Sequence, residues 1–196
     1  MAQKIKLSVK NQFKQAVSYI KETKNYILFS IFLFIGSSAV GYFFRANLTF
    51  LNDFLKDLIL RTEGLNTFEM IFFILQNNLQ SALISVLAGV FFGVFPIGNA
   101  AINGTVLGYV LGIAADVEGF ATWWRLLPHG LFELPAILIS IAMGIKLGFS
   151  FFQNGENRSE TFKERFYNSA NAFLMIVIPL LIIAAFVEGI LITFFG

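Results

Sequence analysis

Polar and apolar positions alternate in long blocks along this chain rather than residue by residue. In residues 1–24, Ile5, Val9, Phe13, Ala16, Val17 and Ile20 recur at steps of three and four among Lys4, Lys6, Lys10, Lys14, Lys21 and Lys24. That spacing predicts one apolar stripe on a basic helix. Such a helix ahead of a membrane span is expected to lie on the cytoplasmic leaflet, apolar side toward lipid, as an anchor or docking element. A continuous apolar block follows at about 26–45, the first predicted span, and the length of the basic region before it points to an uncleaved anchor. Residues 46–66 are mixed, with Phe50, Leu51, Phe54, Leu55, Leu58 and Ile59 at helical spacing among Asp53, Lys56, Asp57, Arg61 and Glu63. They predict a second surface helix, on the opposite side of the membrane.

Four further apolar blocks fall at about 68–95, 98–115, 126–148 and 172–195. The first of these is longer than a hydrocarbon core of about 30 Å requires at about 1.5 Å per residue. Pro96 is expected to close it, so that the second and third spans form a tight hairpin. Thr161, Phe162, Lys163 and Glu164 have the form of a capping box, which predicts a helix start at Thr161. Pro179 is expected to kink the last span. The predicted organisation is a basic amphipathic helix at 1–25 and a single transmembrane domain at 26–196. The fold class is all-α, a polytopic helical bundle of about five spans with Pro-broken helices. Four or six spans are the rivals, because the second hairpin could be re-entrant.

Composition narrows the function classes. Hydrophobic residues make up 57% of the 196 and charged residues 13%, with 25 Phe, and the mean hydropathy is +0.73. A soluble domain of this size could not bury that much apolar surface, so a soluble enzyme, a disordered chain and a nucleic-acid binder are set aside. No cysteine and a single histidine argue against a zinc or iron–sulfur site, and nothing calls for a cofactor. With five spans, Lys and Arg divide as ten with the N-terminus and four on the other side, counted over all 14. This predicts a multi-pass protein of the plasma or inner membrane with a cytoplasmic N-terminus.

Ionisable and amide groups inside spans are the strongest pointers to function, because a charge at membrane depth costs roughly 3 kcal/mol or more. Glu133 and Glu188 fall at comparable depth in the last two spans. His129 and Glu133 are four apart and share a helical face. Asn77 and Asn78 reach a similar depth, so these five residues are candidates for one polar cluster. Its function would be a proton or cation relay, and its structural alternative is interhelical hydrogen bonding. Gly89 and Gly93, then Gly104, Gly108 and Gly112, then Gly144 and Gly148 repeat every fourth residue, the spacing for close helix packing, within the chain or across a homodimer seam. Pro96, Asn99, Asn103, Pro128 and Pro135 mark a turn or broken helices. Trp123, Trp124 and Arg125 suit an interfacial belt. No G-x-S-x-G elbow occurs, and Asp53, Asp57 and Asp116 lie in loops or at span ends, so no enzyme is expected.

The run Leu127-Pro128-His129-Gly130-Leu131-Phe132-Glu133-Leu134-Pro135-Ala136 resembles the hallmark of stage II sporulation protein M-like membrane proteins. Other pieces follow in order: Asn77-Asn78, Gly89 and Gly93, Asn103-Gly104, Leu107-Gly108, Gly144, Leu147-Gly148, and Ala184-Ala185 before Glu188. The likeness covers roughly 70–150 and reaches the last span. It implies a non-enzymatic membrane protein of the cell envelope, similar to a scaffold that positions peptidoglycan-degrading partners in spore formers. Many such relatives occur in organisms that never sporulate. Membrane or envelope proteins, the bilayer and a second copy are the partners this implies, and a transporter or channel subunit is the alternative.

Overall fold

The computed structural model describes residues 8–120, 123, 127–152 and 158–195, and every regular element among them is helical. The helices are α1 (Val9–Glu22), α2 (Lys24–Phe43), α3 (Leu51–Thr62), α4 (Thr67–Leu87), α5 (Val94–Glu118), α6 (Leu127–Gly148), α7 (Arg158–Ala172) and α8 (Ile178–Phe195). Five segments are long and apolar enough to cross a membrane: Lys24–Phe43, Thr67–Val90, Val94–Val117, Gly130–Phe152 and Ser159–Leu191.

Helix α6 is the centre of the bundle. Of its most apolar stretch 67% is buried, against 17–33% for the other four. One face, with Ala136 and Met143, packs into a cluster with Ala16 and Tyr19 of α1, Ala82 and Val86 of α4, and Leu181 of α8. The other face, Ile137, Ile141 and Ile145, packs with Ala100 of α5 and Leu33 of α2. Lipid tails are as apolar as these side chains, so burial alone does not drive helices together in a bilayer, and close van der Waals contact must. The glycines provide it. A Cβ on Gly144 would run into the backbone carbonyl of Ser85, and one on Gly89 into that of Gly144. A Cβ on Gly148 would strike the Gly93 amide. On α5, Gly104 and Gly108 lie against the carbonyls of Phe34 and Ser38, and Gly112 against Arg45. These glycine faces are thus filled by the chain's own helices.

Several boundaries differ from the expected ones for local reasons. The second span ends in a 3-10 turn, Ala88–Val90, followed by two residues of positive φ, Phe92 at 57° and Gly93 at 75°. Pro96 does not close that span. It sits in the first turn of α5, where no N–H is needed from it. The capping box is at Asn66, whose side chain accepts from the amides of Phe68 and Glu69 while Glu69 returns a bond to the Asn66 amide. Thr161 lies inside α7, which begins at Arg158. A π turn, Phe173–Val177, precedes Ile178 and Pro179. It absorbs the carbonyl that the proline ring would otherwise leave clashing.

Helix α3 is largely exposed, as an amphipathic surface helix should be, and it is tied to the bundle at its start. Arg45 is bonded twice to Asp116, at 2.7 and 2.8 Å, near the end of α5. After the turn Arg45–Asn47 the chain doubles back. Asn52 Oδ1 accepts from the Tyr109 hydroxyl at 2.7 Å, and Phe50 and Leu51 lie beside Ala101, Ile102, Thr105 and Val106. From Asp116 to that level is about 15 Å along α5. The start of α3 is thus tied against α5, while the rest of the helix stays largely exposed up to α4.

Filling a backbone contact should be costly. Gly108→Leu is expected to lower thermal stability in detergent by roughly 3 kcal/mol or to abolish folding. Gly98→Ala, where nothing lies within 4 Å, should stay within about 1 kcal/mol of the parent. Equal effects of the two substitutions in a melting experiment would contradict this packing.

Candidate functional site

Polar groups inside the bundle fall in four places. Four members of the expected five-residue cluster, Asn77, Asn78, Glu133 and Glu188, have described side chains. Glu133 is half-buried on α6. The pairing of Gly144 with Ser85 and Gly89, and of Gly148 with Gly89 and Gly93, makes α6 and α4 parallel, and it sets Glu133 level with about Gln76. Gly189 packs on Ile71, so Glu188 stands near the start of α4, with its Oε2 shut off from solvent. Asn78 is buried seven residues, about 10 Å, further along α4 than Ile71. Asn77 is exposed on the side facing α3. Neighbouring residues on a helix point about 100° apart, so the two asparagines cannot share one partner. His129 lies in the first turn of α6, and its side chain, like that of Pro128, is outside the described residues. Pro135 is exposed within α6.

The second place is a bridge between α4 and α5. Asn99 Nδ2 donates to Ser81 Oγ at 3.0 Å, to the Ser81 carbonyl at 3.2 Å and to Ser85 Oγ at 2.5 Å. Asn103 Nδ2 donates to the Asn99 carbonyl at 2.9 Å and to Asn99 Oδ1. These asparagines sit in the second and third turns of a continuous helix, so they neither cap the Pro96 turn nor line a broken helix. They tie α5 to the serines of α4.

The third place joins α1 to the bundle. Lys146 is only 7% exposed. Its ammonium donates to Thr23 Oγ1 at 3.1 Å, lies 3.9 Å from the centroid of the Tyr19 ring, and is 3.9 Å from Glu22. Arg165 Nη1 donates to the Lys146 carbonyl at 2.7 Å. Helix α1 then runs antiparallel along α7: Tyr19 reaches Ser169 at 3.0 Å, Gln15 reaches Asn168 at 2.9 Å, and Asn171 reaches the Gln12 carbonyl at 2.9 Å. Burial pushes the Tyr19 phenol above its usual range, opposed by the Ser169 bond. The amphipathic stripe is thus divided: Ala16 and Tyr19 are buried on protein, while Val9 and Phe13 remain exposed. Sequence reasoning gave Lys146 no role beyond its charge. The signal was a lysine between Ile145 and Leu147 on a helix already rich in small residues.

The fourth place is a cleft of about 330 Å³ between α3 and α4, lined by Phe54, Asp57, Leu58, Arg61, Phe73, Gln76, Asn77 and Gln80. At the far end of α2 and α5, Arg45 also donates to the Tyr42 carbonyl. Trp123 closes that corner, donating to the Leu111 carbonyl at 3.1 Å and meeting the Tyr42 ring edge-on. The Asp116 bonds push the Arg45 guanidinium pKa up. Trp124 and Arg125 are outside the described residues. Among the described residues no group of three or more His, Cys, Asp or Glu is arranged to hold a metal.

Five apolar spans joined by glycine contacts, with polar groups paired between helices, define a polytopic helical membrane protein. The chain belongs to the stage II sporulation protein M family, whose model matches residues 26–191. No curated protein and no solved structure matches it. The match begins after α1, which is joined to the matched region through Lys146.

A double-mutant cycle tests that joint. Tyr19→Leu and Lys146→Met should couple by about 1 kcal/mol in thermal unfolding. Additive effects would show that ring and ammonium do not interact.

Proposed function

We propose that this protein is a non-catalytic scaffold in a cell-envelope membrane complex. The observation that carries this reading is the α1–α7 arm. It combines the basic helix α1 with the polar lead-in to α8; hydrogen bonds hold the two together, and Lys146 of α6 ties them to the core. It presents Val9, Phe13, Phe166 and Tyr167, all exposed, beside the charged Lys10, Lys14, Glu160, Lys163 and Glu164. Exposed apolar side chains grouped on one surface and rimmed by charged ones are suited to a protein partner. The family relationship supports the same reading. The partner class is a membrane or envelope protein, and the arm lies on the cytoplasmic side of the plasma membrane.

Affinity purification at native expression level in mild detergent tests it. A stoichiometric envelope partner should co-purify with the parent and be lost, at least about ten-fold, in a Phe13→Ser, Tyr167→Ala double variant whose melting temperature is unchanged. A chain that purifies alone, or only as a homo-oligomer, would contradict the scaffold.

Glu133 and Glu188 favour a second reading. They lie on α6 and α8, both of which pack on α4, and such carboxyls inside a bundle suit proton or cation passage. Gln keeps the hydrogen bonding but cannot change charge. A transporter subunit therefore loses flux in liposomes with Glu133→Gln or Glu188→Gln, whereas a scaffold assembles normally with both.

A further inference from the structure

Gln76, Asn77 and Gln80 lie about 14–20 Å along α4 from Thr67, in the middle of a span. All three are exposed, and among the described residues none is hydrogen-bonded to another side chain. An amide facing hydrocarbon with no partner is strongly disfavoured, so this face requires water, a solute or protein against it. The structure supplies half an answer. Residues 73, 76, 77 and 80 of α4 face residues 54, 57, 58 and 61 of α3, the same i, i+3, i+4, i+7 pattern on each helix. The space between them, about 330 Å³, holds on the order of ten waters.

Two residues before Phe54, the first lining residue of α3, the Asn52–Tyr109 bond ties that helix to α5, with Tyr109 and Leu51 buried. The walls sum to no net charge, because Arg61 Nη2 and Nε both engage Asp57 Oδ2 at 2.8 Å. The remaining polar groups are amides, each both donor and acceptor, with Phe54 and Phe73 as apolar faces.

We propose that the α3–α4 cleft is a water-filled recess, open at one face of the membrane, that receives small uncharged hydrogen-bonding solutes. It is independent of the scaffold reading, since it lies on the helices away from the α1–α7 arm.

The chain has no cysteine, so single cysteines can be read without background. Gln76→Cys, Asn77→Cys and Gln80→Cys, with Phe72→Cys and Leu83→Cys as exposed controls on α4 outside the cleft lining, would be treated in sealed vesicles with membrane-impermeant methanethiosulfonates. A thiol must be hydrated to ionise and react. The recess predicts modification at 76, 77 and 80 at least about ten-fold faster than at 72 and 83, from one side only. Cationic and anionic reagents should react at rates within about three-fold of each other, and Asp57→Asn, which releases Arg61, should raise the anionic-to-cationic ratio by about five-fold. Control-level rates at all three positions, as expected if lipid or a partner helix covers the face, would overturn the proposal. So would access from both sides, or a charge ratio indifferent to Asp57→Asn.

Discussion

The contact on which the structure depends is backbone against backbone, without side chains between. Gly144 lies on the Ser85 carbonyl, Gly108 on that of Ser38 and Gly104 on that of Phe34. In water such contacts would add to a hydrophobic drive. In a bilayer they replace it, since only close approach distinguishes a helix neighbour from a lipid tail. Two seams result, α2 with α5 and α4 with α6, and α6 is sealed between them by Ile137, Ile141 and Ile145 on one face and Ala136 and Met143 on the other.

The polar groups follow from that framework. Once the seams fix the helix registers, Asn99 meets Ser81 and Ser85, and Lys146 arrives under the Tyr19 ring. The lysine is held by a ring face and a hydroxyl more than by a counter-ion, since Glu22 is 3.9 Å away and its side chain is 64% exposed. A bond of this kind fixes where α1 lies more than it stabilises the bundle, because desolvating the ammonium offsets much of what its partners return. The consequence is positional. A helix whose pattern suits a lipid surface is turned onto α7, leaving Val9 and Phe13 outward.

The helical class and the spans were legible because apolar blocks of twenty residues leave few alternatives. The glycine spacing was legible for the same reason: a residue repeated every fourth position marks one face. The polar cluster was less so. Depth can be counted from sequence, but which way a residue points requires knowing the register between helices. That register separates Asn77 from Asn78 and sets Glu188 near Ile71. Helix α3 was legible as an amphipathic surface helix, because its charges do stay exposed; its tie to α5 was not. Nothing local in Phe50–Asn52 announces that Tyr109, fifty-seven residues later, takes Asn52 as its partner. The Asn66–Glu69 capping box was present in the sequence, while Thr161 shows that the same pattern is only a statement of competence.

The central claim is that α6 is sealed by glycine contacts at the middle of the bundle. Hydrogen–deuterium exchange in lipid nanodiscs measures it directly. Peptides covering residues 136–148 of α6 should be the last to exchange, slower than those from α4 or α5 and far slower than those from the largely exposed segment 46–62. Exchange in α6 as fast as in residues 46–62 would contradict the account.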